Sequence, residues 1–170
     1  IGIGTYLISK ATISKSDYHT AWTTNFILFF SIGFIYLIGS SDIATFYAKP
    51  ELESLVQLYS INFFLRAMYN VSVIHNDRKL IFRPFFLIQV LPKIVSFFVT
   101  ISLALVFKNY WALIYGALIY QFSRTVLSYV LHPYIPQFRI KEISSFLNYS
   151  QWLLAHNVFR YLNTKSIDIF

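Results

Sequence analysis

The 170-residue sequence contains no cysteine and few charged residues. The lack of cysteine excludes disulfide frameworks, thiolate metal sites and cysteine nucleophiles. Charged residues make up 12% of the chain, whereas apolar residues make up 56% and aromatic residues 20%. Soluble domains have about 25% charged residues, and disordered, collagen-like and coiled-coil chains have other compositions. Because so few charges cannot cover a soluble globule of this size, the composition predicts an integral membrane protein.

Four stretches are long and apolar enough to cross a bilayer, which takes about 20 residues. They cover approximately residues 21–40, 54–74, 84–107 and 109–131. A partial span precedes them in residues 1–9, and another begins near Ser144. Pro92 predicts a kink inside the third complete span. The predicted fold class is therefore all-α, a polytopic transmembrane helical bundle. Because the chain starts at Ile1 and has no polar tail, we expect a fragment of a longer protein.

Basic residues predict the orientation of these spans. Counted over alternate loops, seven basic residues lie on one side and two on the other. The positive-inside rule places the side with seven in the cytoplasm. The positive charge is thus mostly a topology signal, and because no soluble domain carries a basic face, nucleic acid is excluded as a partner.

Three cations, Arg66, Lys93 and Arg124, lie inside predicted spans. Each costs about 2.5–3.5 kcal/mol at the bilayer centre on insertion scales. With a rise of 1.5 Å per residue, each lies roughly 10–14 Å from the predicted cytoplasmic end of its helix. One such residue is explained by snorkelling of its long side chain toward the interface. Three at similar depth favour a cationic site that attracts an anion, such as a lipid phosphate or pyrophosphate.

Polar residues share helix faces with these cations, which favours a water-filled cavity between the helices. The candidate cavity-lining residues are Asn62, Asn70, Gln89, Gln121 and His156. The alternative is hydrogen bonding between polar helix faces. Arg160 lies four residues after His156 and is a further candidate contact, deeper along the path. His156 on its own is more often a hydrogen-bonded packing residue than a proton carrier.

The residue types needed for covalent chemistry are missing from the predicted spans. The four complete spans contain no carboxylate, so they lack the acidic side chains that a paired-carboxylate mechanism needs. No phosphate-binding loop is present, and no metal site or cofactor is predicted. We therefore expect a protein that is not an enzyme. A membrane-bound glycan polymerase or acyltransferase, the alternative enzyme class, needs a large outer loop, and the outer loops here are short.

Five short motifs occur in order along the chain. They are residues 2–8 (GIGTYLI), 46–52 (FYAKPEL), 78–83 (RKLIFR), 110–113 (YWAL) and 161–168 (YLNTKSID). Their order and spacing resemble those of the polysaccharide-export flippases of the multidrug/oligosaccharidyl-lipid/polysaccharide exporter superfamily, the bacterial O-antigen and exopolysaccharide translocases. Lys49 departs from the family pattern, which typically has aspartate before Pro50.

The resemblance implies a division of the chain into two parts. Residues 1–143 correspond to the first lobe, from the end of the family's second membrane helix to its sixth, and residues 144–170 to the start of the second lobe. The chain then covers most of one six-helix lobe. Two such lobes move against each other in alternating access.

The resemblance also implies a substrate, an undecaprenyl-pyrophosphate-linked oligosaccharide moved across the bacterial inner membrane. The candidate contacts for its anionic headgroup are Arg66, Lys93, Arg124 and Arg160. The other expected partners are membrane lipids and the glycan polymerase and export machinery. The alternative is a cation-coupled multidrug antiporter of the same superfamily, which needs buried carboxylates that the four complete spans lack.

Overall fold

The computed structural model describes residues 3–10, 13–78, 81–140, 151, 152, 156 and 159. Across these residues all regular secondary structure is helical, which confirms the all-α prediction. The elements are α1 (Ile3–Ser9), α2 (Lys15–Ile38), α3 (Ser40–Phe46), α4 (Glu51–Ala67), a 3₁₀ turn (Val71–Val73), α5 (Ile74–Arg78), α6 (Phe82–Gln89), α7 (Leu91–Phe107) and α8 (Trp111–Leu131). The predicted fifth span, which begins near Ser144, lies mostly outside the described residues.

Helix α2 begins about six residues before the predicted span because its first turn is capped. Ser14 Oγ accepts a hydrogen bond from the Asp17 amide at 3.3 Å, and the Asp17 carboxylate accepts one from the Ser14 amide at 2.8 Å. Such a capping box satisfies two amides that the helix itself leaves without acceptors. Lys10 Nζ pairs with the same carboxylate at 2.7 Å.

The second predicted span is wrong as a single helix. Helix α4 ends at Ala67, and the chain leaves helical geometry before the 3₁₀ turn. Asn70 is extended, with a ψ of 103°, and its Oδ1 accepts a hydrogen bond from the Ser72 amide at 3.0 Å. This side-chain bond competes with the helical hydrogen bond and starts a turn instead.

The third predicted span is interrupted two residues before Pro92. Helix α6 ends at Gln89 and α7 begins at Leu91, with Val90 between them. A proline has no N–H to donate and its ring crowds the carbonyl four residues earlier, here that of Ile88. The interruption at Val90 lies where the kink was predicted.

Neighbouring helices pack in the order α2, α4, α8 and α7. Two glycines mark the closest approaches. A Cβ atom at Gly33 of α2 would lie 2.7 Å from Cε1 of Phe64 on α4, and one at Gly116 of α8 would overlap Oγ1 of Thr100 on α7. Small residues at such crossings bring membrane helices into close contact.

In the part of the chain that the structure describes, two helical stretches are long and apolar enough to cross a membrane, Lys15–Ile38 and Phe82–Phe107. Only 6% of the most apolar window of Phe82–Phe107 is buried. Phe98 is 64% exposed and Leu105 is 72% exposed. A soluble protein does not leave so large an apolar surface in water, so this stretch has the surface of a membrane helix and not that of a core helix.

The connections between the helices fall at two ends of the bundle. Tyr110, just before α8, donates a hydrogen bond to Glu51 at the start of α4, with 2.6 Å between Oη and Oε2. Residues 47–50 and 108–110 therefore lie at the same end. The charge pattern predicts that this is the outer end. At the other end, the rings of His75 and His132 lie 6.0 Å apart.

Candidate functional site

Arg66 lies in the last turn of α4 and is exposed. Its Cζ atom lies 4.4 Å from the centroid of the Phe29 ring on α2, within cation–π range. The prediction that Arg66 lies eight residues before the end of a longer helix is wrong, since α4 ends at Ala67. At this position the cation also interacts favourably with the negative end of the helix dipole.

Arg124 lies on α8 and is half-buried. Its Cζ atom is 4.7 Å from the centroid of the Tyr69 ring. Its Nε atom is buried and has no hydrogen-bond partner among the described residues. A buried donor without an acceptor is costly, so this atom is a candidate contact for an anionic ligand.

Arg66 on α4 and Arg124 on α8 are close enough for their charges to interact. Their charges repel each other, and the side chains of Tyr59 and Tyr120 also interact electrostatically with Arg66. Among the described residues, no carboxylate is one of the groups that act on Arg66. We call Arg66, Arg124 and the rings of Phe29 and Tyr69 the arginine site. Two interacting cations attract an anion.

The other predicted headgroup contacts are not in this cluster. Lys93 is exposed on α7 and is not among the charged groups that act on Arg66. Arg160 lies outside the described residues. His156 is helical and exposed, and Gln89 is half-buried in the last turn of α6. Of the predicted cations that the structure describes, Arg66 and Arg124 are the pair whose charges interact.

Two of the predicted cavity-lining amides join helices. Asn62 Nδ2 donates to the carbonyl of Ala117 on α8 at 3.1 Å. Asn70 is fully buried, and its Nδ2 donates to the carbonyls of Ser128 at 3.0 Å and His132 at 2.7 Å. Both amides therefore make hydrogen bonds between helices. This was the alternative to a cavity in the sequence analysis.

Gln121 is buried and bonds within its own helix. Its Nε2 donates to Oγ1 of Thr125 at 3.3 Å. Thr125 Oγ1 in turn donates to the carbonyl of Leu65 on α4 at 3.1 Å. Gln121 thus supports a contact between α8 and α4, close in sequence to Arg124.

The structure also shows side-chain donors that bond to the backbone carbonyls at the end of α4. The sequence analysis did not identify these donors. Four successive carbonyls, those of residues 65–68, accept side-chain hydrogen bonds from neighbouring helices. The donors are Thr125 and Tyr129 of α8 and Asn25 of α2, at 2.9–3.2 Å. The sequence signal was Asn25, an amide side chain in the middle of α2. In a bilayer these carbonyls have no water to bond with, so the donors make the break after α4 tolerable.

A second polar cluster ties residues 132–140 to the start of α2. Tyr134 Oη lies 2.8 Å from Nδ1 of His19, and the Gln137 amide donates to the same nitrogen at 3.2 Å. Burial raises the pKa of Tyr134 to about 12. Burial, and next the charge of His75, lower the pKa of His132. Within the described part of the chain, no group of three or more metal-ligating side chains occurs.

A cavity of about 340 Å³ opens at the predicted outer end, which we call the outer pocket. It is lined by Phe107, Asn109, Trp111 and Tyr115. The hydrogen bond to Glu51 raises the pKa of the neighbouring Tyr110.

A comparison with known families adds to these observations. The family model described as polysaccharide biosynthesis protein matches residues 1–170, the whole chain. No curated protein and no solved structure matches the chain. The match covers every motif that supported the resemblance to polysaccharide-export proteins. The chain therefore belongs to the polysaccharide biosynthesis protein family, and it is a helical membrane protein with a role in polysaccharide biosynthesis or export.

Proposed function

We propose that this chain contributes to a translocase that moves a lipid-linked oligosaccharide, carried on undecaprenyl pyrophosphate, across the bacterial inner membrane by alternating access. The observation that carries the proposal is the arginine site. The charge of Arg124 on α8 acts on Arg66 of α4, with no carboxylate of the described residues among the groups acting on Arg66, and a buried Nε of Arg124 has no acceptor among the described residues. A pyrophosphate supplies both the negative charge and the acceptors that this site lacks.

Arginine suits this role better than lysine does. Its planar fork of donors matches the oxygens of a phosphate, and it stacks on aromatic faces. Here the rings of Phe29 and Tyr69 lie against the two guanidinium groups. The rings stabilise the cations without neutralising them, so the charge stays available to a ligand.

The positions of the acidic residues support this proposal over a cation-coupled drug antiporter. Among the described side chains, the carboxylates lie in the first turns of helices: Asp17 in α2, Asp42 in α3, and Glu51 and Glu53 in α4. Acidic residues in a first turn are stabilised by the helix dipole. A proton- or sodium-coupled antiporter needs carboxylates deep in the bundle.

In this proposal the chain changes no covalent bond. It is a multi-pass protein of the inner membrane that receives its substrate at the cytoplasmic face and passes it to the glycan polymerase and export machinery. Lys93 and Arg160 are proposed as further headgroup contacts along the path, in addition to the arginine site.

The test is neutralisation of the arginine site in the protein that carries this chain. We expect Arg66→Gln and Arg124→Gln each to reduce glycan export about tenfold or more, the usual effect of losing a charge-assisted hydrogen bond of about 1.5–3 kcal/mol. The double variant should abolish export. Export is measured as surface polysaccharide, and membrane abundance by immunoblotting.

Lys49→Gln is the matched control, since Lys49 is an exposed cation in the loop at the predicted outer end. It removes one positive charge without touching the arginine site, and export should stay at the parental level. Normal export by the double variant would refute the headgroup role. Loss of drug resistance with unchanged polysaccharide would favour the antiporter instead.

A further inference from the structure

The outer pocket has a lining unlike that of the arginine site. Its four residues carry no charge, and three of them are aromatic. Along α8, Arg124 lies nine residues beyond Tyr115, about 13 Å at 1.5 Å per residue. The two sites are therefore separate, and a ligand group bound in the pocket differs in chemistry from the anion bound by the arginines.

The loop that forms the pocket is held in place by local geometry. Lys108, which ends α7, is in the left-handed conformation with a φ of 49°, and its amide donates to the carbonyl of Ala104 at 2.9 Å. This left-handed conformation turns the chain at Lys108, between Phe107 and Asn109. The hydrogen bond from Tyr110 to Glu51 then fastens the loop to the start of α4. These two hydrogen bonds hold the loop that contributes Asn109 to the pocket.

Trp111 and Tyr115 face the pocket from one side of α8, since residues four apart lie on the same face of a helix. The face of an aromatic ring carries partial negative charge and attracts positively polarised C–H groups. The amide of Asn109 offers both donors and an acceptor. Aromatic faces with a single amide suit a sugar ring, which has an apolar C–H face and hydroxyls around its edge.

The volume agrees with this chemistry. Small-molecule sites begin at about 300 Å³, and about 340 Å³ has the size of a short saccharide. We propose that the outer pocket binds the neutral glycan of the substrate at the outer end of the protein. This proposal rests on the proposed function, because it assigns the sugar of the translocated molecule to a second site beyond the arginine site.

The competing explanation is an aromatic belt. Tryptophan and tyrosine are enriched at membrane interfaces, where their rings contact lipid headgroups. A belt contacts phospholipid and requires neither a cavity nor an amide. The experiment must therefore identify what molecule occupies the pocket in a cell that makes the glycan.

We suggest photocrosslinking in the protein that carries this chain. Tyr115 is replaced by p-benzoylphenylalanine, and cells are irradiated during polysaccharide synthesis. The expected result is a crosslinked species that stains for carbohydrate by the periodate–Schiff reaction. The matched control carries the same probe at Phe98, which is 64% exposed on α7 and lies far from the loop. It should capture lipid without carbohydrate.

Adding Trp111→Ala to the Tyr115 probe should reduce the captured carbohydrate about tenfold, the effect of losing one ring contact of about 1.4 kcal/mol. Trp111→Phe keeps a ring and should restore most of it. Circular dichroism and membrane abundance of each variant show whether it folds. Capture of phospholipid alone at Tyr115, or carbohydrate capture that is insensitive to Trp111→Ala, would overturn the proposal.

Export by the arginine variants is measured beside carbohydrate capture at Tyr115. The two results together distinguish a failure of this proposal from a failure of the proposed function. If the arginine variants stop export but Tyr115 captures no carbohydrate, the translocase stands and the outer pocket is not a glycan site. If the arginine variants export normally, the headgroup role fails even if carbohydrate is captured at Tyr115.

Discussion

Two parts of the bundle are held together by different means. Where α4 meets α2 and α8, polar side chains bond to exposed carbonyls, and Asn70 bridges back to the end of α8. Where α7 meets α8, the contact is a close crossing at Gly116, with Ser96 Oγ donating to the Gly116 carbonyl at 2.7 Å. The first contact supplies donors to the carbonyls where α4 breaks off. The second joins two helices, α7 and α8, that are each continuous.

The comparison teaches where this membrane protein uses polar groups. A continuous helix satisfies its own backbone and needs only close packing to associate. A helix that breaks exposes carbonyls, and lipid offers them no donor. The polar residues on α2 and α8 therefore concentrate beside the end of α4, and the arginine site lies at the same place.

The largest expected effect is at the α7–α8 crossing. Gly116→Leu should lower the free energy of unfolding by about 3 kcal/mol, because its side chain would occupy the space of Thr100. Gly33→Leu is the matched case at the α2–α4 crossing and should cost less, since the Phe64 ring can shift. The measurement is the unfolding midpoint in detergent micelles. An equal loss in both variants would contradict the difference between the two crossings.

At the end of α4 we expect Asn70→Ala to cost about 2 kcal/mol. It removes the two hydrogen bonds that Nδ2 donates to the carbonyls of Ser128 and His132, and also the two that Oδ1 accepts from Ser72. Asn62→Ala removes a single bond to Ala117 and should cost about half as much. The same unfolding measurement checks both, and the reverse order would show that Asn70 is not central to the junction.

The smallest expected effect is in the loop at the predicted outer end. Lys108 adopts a positive φ of 49°, a conformation that costs a residue with a side chain roughly 1 kcal/mol and costs glycine little. Lys108→Gly should therefore raise the free energy of unfolding by about 0.5 kcal/mol. Lys49→Gly, at a neighbouring loop position without a positive φ, should not. Destabilisation by Lys108→Gly would show that the side chain itself supports the loop.

Some features of the arginine site were predictable and others were not. Arg66 and Arg124 were identified because charges inside apolar spans are rare. Their aromatic partners were not, because Phe29 lies 37 residues before Arg66 in the chain and no periodicity links them. Lys93 matched the sequence pattern equally well, yet it is not among the described groups that act on Arg66. Sequence spacing gives the face of each helix, and only packing decides which faces meet.

The amino-acid sequence by itself determined that this is a helical membrane protein, because composition and span length are local properties. It also determined the bend between α6 and α7, since Pro92 lacks a donor wherever it is placed. Only the tertiary structure decided that α4 ends at Ala67. An early helix end in a membrane is stable only if donors reach its carbonyls, and those donors, Asn25, Thr125 and Tyr129, come from other helices.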